Sequence, residues 1–142
     1  MSEEFEDLRR RMDERLRSRP INEFLRTRVV TLALDRAELT LEFTPDIDNG
    51  GGTIHGGMIA ALADTAVACA LSTNFGGKMG FATSNLNIHF LRRAKSDVRA
   101  VARIVKKGST ICVGQVEVFD AEGQLVATVT TDFVLTSSRV RE

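Results

Sequence analysis

Apolar residues near the N-terminus recur every three or four positions, which is the period of a helix with one apolar face. They are Phe5, Leu8, Met12 and Leu16. Ser2 is a residue type that caps helices, and Pro20 is one that ends them. The pattern therefore predicts an amphipathic helix from Ser2 to Arg17, followed by a short connection over residues 21–27.

Alternation with a period of two predicts strands on both sides of a long apolar segment. Two strands, 29–34 and 38–43, are predicted before it, with a turn at Asp35 and Arg36. Four more are predicted after it, at 84–91, 97–106, 110–119 and 125–135. The later strands are joined by short turns, which connect antiparallel rather than parallel neighbours.

The apolar segment itself predicts a helix from Gly56 to about Thr73. Its residues are apolar on every side except at Asp64, a pattern typical of a buried helix. Helix, two strands, long helix and further strands indicate the α+β class, with one buried helix covering the concave face of an antiparallel sheet. We expect residues 1–28 to be a helical extension and residues 29–138 to be the main domain.

Composition narrows the class of protein. Lys+Arg and Asp+Glu both number 19, which argues against a nucleic-acid-binding surface. The arginines of the first helix are interleaved with acids, which favours a solvated face over a nucleic-acid or membrane patch. The N-terminus lacks the apolar core of a signal peptide, and the apolar run Met58 to Leu71 is too short to span a bilayer. We therefore expect a cytoplasmic protein.

The two cysteines, Cys69 and Cys112, each lie in an apolar segment without a second cysteine or a histidine nearby. We interpret both as small core residues in a reducing compartment. This spacing is not that of a metal site, and we expect neither a metal nor a resident cofactor.

Asp64 is the most informative residue of the central helix. A buried carboxylate is costly unless it is paired or its pKa shifts. A structural hydrogen bond to a neighbouring strand or to Thr65 would explain it, and so would a role as catalytic base or nucleophile.

The loop before the helix favours the catalytic interpretation. His55 precedes Gly56 and Gly57, at a helix start whose backbone N–H groups lack helical partners. Such donors can stabilise an oxyanion, as acyl transfer requires. Asn49 and three loop glycines supply turn geometry and a side-chain donor, although a purely structural loop would also use them.

Spacing adds a constraint. Gly56 and Asp64 are eight residues apart, roughly 12 Å along a helix. One carbonyl group cannot be held at the first and attacked from the second on the same helix. Two antiparallel copies related by a two-fold axis would bring one chain's Gly56 near the other's Asp64. If the pair is catalytic, the sequence therefore predicts an obligate homodimer with shared sites.

These residues resemble a known family, the phenylacetate-pathway (PaaI-like) thioesterases of the hotdog fold. The likeness lies in N-x-x-G-T-x-H-G-G-x-x-x-x-L-x-D, from Asn49 to Asp64, and more weakly in Leu86 to Arg92. Strand order and turn spacing agree from about Val29 to Leu135. The resemblance implies a hotdog fold, in which the antiparallel sheet wraps round the long central helix, and homodimers that pair into homotetramers. It also implies hydrolysis of acyl-CoA or aryl-CoA to the free acid and coenzyme A.

The resemblance also implies roles for single residues. Asp64 would be the base or nucleophile, the Gly56 N–H would polarise the carbonyl, and Asn49 and His55 would position the thioester and the loop. Thr83 would help to orient the attacking water. Coenzyme A would lie along a set of glycine, hydroxyl and basic residues, namely Gly57, Arg92, Arg93, Lys95, Lys106, Lys107, Gly108, Ser109 and Thr110. The alternative interpretation of the arginines and lysines in this set is that they are ordinary solvent-exposed charges in turns.

Two features depart from the family. Arg93 stands where proline is common and could alter the strand exit, and the charged N-terminal helix is variable in such proteins, where it could cap the acyl pocket or a dimer edge. Two other functions stay open at this point. A hotdog hydratase or dehydratase would use a histidine with an acid, but its helix motif differs. A non-enzymatic acyl-CoA sensor would usually carry a DNA-binding segment. Residues 1–28 are too short and too balanced in charge to be a convincing one.

Overall fold

The computed structural model describes residues 1–78 and 80–136 of the chain. Within them lie the helices α1 (Glu3–Arg17), α2 (Pro20–Phe24) and α3 (Gly56–Ser72), with 3-10 turns at Pro45–Ile47 and Thr73–Phe75. The strands are β1 (Arg28–Ala33), β2 (Arg36–Leu41), β3 (Phe81–Phe90), β4 (Val98–Lys107), β5 (Ile111–Asp120) and β6 (Leu125–Leu135).

The strands form one antiparallel sheet in the order β1-β2-β4-β5-β6-β3. The chain leaves β2 near one edge of the sheet and enters β3 at the opposite edge. The connection between them contains α3, which therefore lies across the sheet. The predicted α+β class, with a sheet round one long helix and an extra N-terminal helix, is confirmed.

Close packing of α3 depends on small residues. Ala63, Ala66 and Ala70 are fully buried, and a Cβ at Gly114 of β5 would collide with the Val67 side chain. The opposite face is more open, since Ala61, Asp64 and Ala68 are only partly buried and Gly57 is exposed. The expectation of a helix buried all round is thus wrong for this face, because the sheet covers only one side of α3.

The apolar character of this helix has a packing origin. Gly56–Phe75, with 20 residues, is long and apolar enough to cross a membrane by length and composition. The prediction that the apolar run is too short to span a bilayer considered only Met58 to Leu71, whereas the helical segment is longer. Half of the apolar window is buried inside the protein, where α3 packs against the sheet.

Three boundaries differ from the sequence prediction. Residues predicted as a connection form α2, because Pro20 occupies the first turn of a new helix, where its missing N–H costs nothing. β3 begins at Phe81, three residues before the prediction. Asp35 takes a left-handed conformation (φ 61°) in the first hairpin, so β2 begins earlier, at Arg36. The predicted domain end at residue 138 lies outside the described residues.

Asp13 attaches α1 to the sheet. Its carboxylate is 3% exposed and accepts hydrogen bonds from Arg28 and from the Val29 N–H (2.7 Å), and it pairs with Arg17 (3.2 Å). Burial alone would raise the pKa of Asp13, but the bonds from Arg28 and the Val29 N–H, together with the arginine charges, hold it below its ordinary value. The N-terminal helix is therefore anchored to β1 by a buried ionic contact.

We expect Asp13→Asn to lower the free energy of unfolding by about 2 kcal/mol, because the buried Val29 N–H and the half-exposed arginines lose a charged acceptor. A lowered native pKa stabilises the fold above the ordinary value of 3.8, and this contribution is lost as the pH falls through the native value. Thermal melts at pH 7 and pH 3 measure it, and the difference from the wild type should shrink at pH 3. Asp7→Asn is the control, because Asp7 pairs with Arg10 and Arg11 on the exposed face. Equal melting temperatures for wild type and Asp13→Asn would contradict the anchoring role.

Candidate active site

The loop before α3 is held by its own side chains. Asp48 Oδ1 accepts from the N–H groups of Gly50 (2.6 Å) and Gly52 (3.1 Å), both of which have positive φ values. Asn49 Oδ1 accepts from the Gly51 N–H at 2.8 Å. In the described part of the chain the Asn49 amide nitrogen has no hydrogen-bond partner, so a donor is left over on this loop.

His55 caps α3. Its Nδ1 accepts from the Gly57 N–H at 3.0 Å, so the ring proton lies on Nε2 of the exposed imidazole. Its carbonyl oxygen accepts from the Met58 N–H at 2.9 Å. The expected pair of open glycine N–H groups is thus reduced to one, because His55 occupies that of Gly57.

The N–H of Gly56, the first helical residue, has no hydrogen-bond partner among residues 1–78 and 80–136. It is a free donor at the positive end of the helix dipole. The Phe90 ring of β3 packs against Gly56 so closely that a Cβ there would lie 3.0 Å from Phe90 Cζ. The start of α3 therefore lies beside the end of β3.

Asp64 lies two turns further along α3 and is half-buried. Thr83 Oγ1 donates to Asp64 Oδ1 at 2.8 Å. No lysine or arginine of the described residues is within ion-pair distance of this carboxylate. Burial raises the pKa of Asp64 above its ordinary value, and the Thr83 hydrogen bond acts in the opposite direction. A desolvated carboxylate without a cation is typical of catalytic acids and bases.

A β-bulge makes the contact between Thr83 and Asp64 possible. Strict alternation would place Thr83 on the face opposite that of Leu86 and Phe90. The register of β3 against β6 shifts between Thr83 and Asn85, which turns Thr83 back toward α3. Both ends of β3 thereby face the helix, Thr83 at Asp64 and Phe90 at Gly56.

Asp64 and Thr83 also line a pocket of about 420 Å³. Its other walls come from α1 and α2, from the middle of α3 and from the sheet, and include Leu16, Asn22, Ala68 and Phe133. Cys69 lines it as well, but burial raises the pKa of this thiol to about 12, so it is no thiolate nucleophile near neutral pH. The sequence left open whether the N-terminal helix caps the acyl pocket or a dimer edge, and α1 does lie in the wall of this pocket. Helix α2 and its place in the wall were not predicted.

The predicted coenzyme A residues fall into two groups. Arg92, Arg93 and Lys95 are exposed beside the loop, because the Ile54 N–H donates to the Ala94 carbonyl oxygen (2.9 Å). The second group, residues 106–110, lies at the far end of β4, about 30 Å away by strand rise.

Within the second group, the Lys107 charge is already paired with Asp35 at 2.8 Å. Lys106, Ser109 and Thr110 are exposed and Gly108 is partly buried. One chain therefore does not bring the two groups together.

Comparisons with known proteins agree with this architecture. The family model described as the thioesterase superfamily matches residues 51–127, from the loop to the start of β6. A Saccharolobus solfataricus protein named "Putative esterase" is 33% identical over 109 residues, which are 75% of this chain and 76% of that protein.

Solved structures are similar too. A mutant of the phenylacetic acid degradation protein PaaI from Thermus thermophilus is 30% identical, with a TM-score of 0.75 over 82% of this chain and 99% of that one. PaaI of E. coli shares the fold, with a TM-score of 0.83 at 20% identity over 95% of this chain and 98% of that one. The predicted hotdog fold and PaaI-like resemblance are confirmed, and the chain belongs to the thioesterase superfamily.

Proposed function

We propose that the protein hydrolyses acyl-CoA or aryl-CoA thioesters to the free acid and coenzyme A, in the cytoplasm and without a resident cofactor. The observation that carries the proposal is Asp64, a half-buried carboxylate that has no cation partner among the described residues and is bonded to Thr83 at the wall of a largely apolar pocket. Family membership supports hydrolysis of a thioester or ester bond. The apolar pocket suits an acyl group, and exposed arginines and lysines suit a phosphorylated carrier.

The site would be completed by a second copy of the chain. In the described structure β3 pairs only with β6, so its other edge is open over ten residues without proline, lysine or arginine to protect it. Antiparallel pairing of β3 with its own copy would satisfy this edge about a two-fold axis.

The contacts at the two ends of β3 indicate the register of that pairing. With the axis between Leu86 and Asn87, Thr83 of one copy lies opposite Phe90 of the other. Thr83 contacts Asp64 of its own chain, and Phe90 contacts Gly56 of its own chain. Each site would then combine one chain's carboxylate with the other chain's free N–H, and we propose that such dimers associate further into homotetramers.

The same pairing would unite the two groups of coenzyme A residues. One end of the sheet contains Phe81, Ile111 and Lys107. The strand pairings β3–β6, β6–β5 and β5–β4 place these residues at the same level. In the antiparallel pair that end lies three or four strand spacings, or roughly 15 to 20 Å, from the other copy's Arg92 and Lys95. Residues from both chains could therefore contact one nucleotide.

The chemistry follows from these positions. Asp64 takes a proton from a water molecule that attacks the thioester carbonyl carbon, or attacks that carbon itself to give an anhydride that water then cleaves. The Gly56 N–H stabilises the oxyanion that forms on the carbonyl oxygen. The unpaired Asn49 amide nitrogen on the preceding loop is a second donor for it. Breaking of the C–S bond releases coenzyme A as the thiolate.

The direct experiment is release of free thiol from a panel of acyl-CoAs and aryl-CoAs, read with a thiol reagent. The proposal expects turnover with at least one member of the panel. Binding without thiol release would support the acyl-CoA-binding alternative. Addition or loss of water with the thioester intact would support a hydratase or dehydratase, and either result would overturn hydrolysis.

The contact between Thr83 and Asp64 gives a pH prediction. Activity should rise as Asp64 loses its proton, so the acid limb of kcat/KM reports its pKa. Thr83→Val removes a hydrogen bond that lowers this pKa, and the acid limb should move to higher pH. Thr83→Ser keeps the hydroxyl and is the matched control, with an unshifted limb. Identical limbs in all three proteins would show that Thr83 does not tune the carboxylate.

A further inference from the structure

The pocket beside Asp64 contains one buried amide side chain that the proposed chemistry does not use. Asn22 of α2 is 7% exposed, and its amide has no hydrogen-bond partner among the described residues. Leaving a buried amide unpaired is unfavourable, so native proteins usually satisfy such groups. We therefore expect the Asn22 amide to have a hydrogen-bond partner other than the described residues of this chain.

The Asn22 amide still reaches open space. The described side-chain atoms that are both sealed from solvent and unpartnered are the hydroxyls of Thr27, Thr31 and Thr44, and neither Asn22 amide atom is among them. Since Asn22 lines the pocket that also contains Asp64 and Thr83, the pocket is the space that its amide can face.

The surroundings of Asn22 indicate the kind of partner. Most of the pocket is apolar, with Leu16, Phe81 and Phe133 in its walls. Arg15 and Arg19 also line it and are exposed, and no acid of the described residues pairs with Arg19. An apolar chamber with one buried amide and two guanidinium groups suits an apolar chain that bears an oxygen.

We propose that Asn22 determines acyl specificity, and that the pocket selects acyl groups carrying a hydroxyl or carboxylate oxygen away from the thioester carbonyl. This inference rests on the proposed hydrolysis, because Asp64 places the thioester at the same pocket. The oxygen accepts from or donates to the Asn22 amide, and an acyl group without it leaves the amide unpaired. A site built to pair a polar substituent rejects analogues that lack it.

The test compares three substrates of equal chain length: hexanoyl-CoA, 6-hydroxyhexanoyl-CoA and the mono-CoA thioester of hexanedioic acid. The wild type should show kcat/KM about tenfold or more higher for at least one oxygen-bearing substrate than for hexanoyl-CoA. Asn22→Leu, of similar size, should remove this preference and improve hexanoyl-CoA hydrolysis. Arg19→Gln identifies the oxygen, since it should weaken a preference for the carboxylate and leave one for the hydroxyl unchanged.

Binding keeps this inference separate from hydrolysis. Dissociation constants for the matching non-hydrolysable thioethers, hexyl-CoA, 6-hydroxyhexyl-CoA and 5-carboxypentyl-CoA, should show the same order in wild type and its loss in Asn22→Leu. If the dissociation constants follow this order but no thiol is released from the thioesters, hydrolysis is wrong and the role of Asn22 in acyl selection stands.

Thiol release with equal constants for all three substrates in the wild type, or an unchanged preference in Asn22→Leu, would overturn the pocket assignment alone. If Asn22→Leu does not fold, Asn22→Asp replaces it. That variant should specifically lose a preference for the carboxylate, and a preference that survives it overturns recognition of a carboxylate by Asn22.

Discussion

Asp64→Asn is expected to lower kcat for thioester hydrolysis by about 10² to 10⁴-fold, because the amide cannot accept the proton of the attacking water. Nor can it act as a carboxylate nucleophile, so both chemical routes lose the same group. Thiol release under saturating substrate measures the effect. Glu122→Gln makes the same change of acid to amide in the exposed β5–β6 turn and should leave kcat unchanged.

The same variant should be more stable than the wild type at pH 7. Burial raises the native pKa of Asp64, so its charged form destabilises the fold above that pKa. The penalty disappears as the pH falls through the native pKa toward the ordinary value of 3.8. Asp64→Asn should therefore melt at a higher temperature at pH 7 and lose this advantage below about pH 4. Full activity of Asp64→Asn would show that the mechanism is wrong, even if the protein is a thioesterase.

Gly56→Pro is expected to lower kcat by about 10² to 10³-fold, the usual cost of losing one oxyanion donor. Proline removes the free N–H at the first position of a helix, where it is well tolerated. The preceding residue does not oppose it, since His55 (φ −56°, ψ 126°) lies outside the right-handed helical region that a following proline disfavours.

Gly56→Ala is the matched control. It brings the same Cβ against Phe90 but keeps the N–H. The comparison of kcat between the two variants isolates the donor from the crowding of the ring. Equal kcat values for Gly56→Pro and Gly56→Ala would exclude the Gly56 N–H as an oxyanion donor.

The sequence predicted the central helix to within one residue, as Gly56 to about Thr73 against the observed Gly56–Ser72. A glycine pair marks its start, and its apolar run is unlike any strand of the chain. Helix α2 was missed because five residues carry no periodicity, and Pro20 both ends one helix and begins the next. Local patterns thus define long elements better than short ones.

The candidate site divides in the same way. Asp64 and Gly56 stand out in the sequence because a lone acid and a glycine pair are unusual in an apolar helix. The contact from Thr83 to Asp64 depends on a bulge in β3, which alternation alone does not predict. The pairing of Lys107 with Asp35, and the place of Asn22 in the pocket wall, depend on contacts distant in sequence. Periodicity contains no information about such contacts.

Subunit complementation tests the shared site most directly. Asp64→Asn chains and Gly56→Pro chains are mixed one to one under conditions of proven subunit exchange, and thiol release is compared with each variant alone. In a shared site every heterodimer has one site with both defects and one intact site, so random exchange should restore about a quarter of the wild-type activity. If each chain instead contains its own complete site, the mixture will show only the average of the two residual activities, and the composite active site will be wrong.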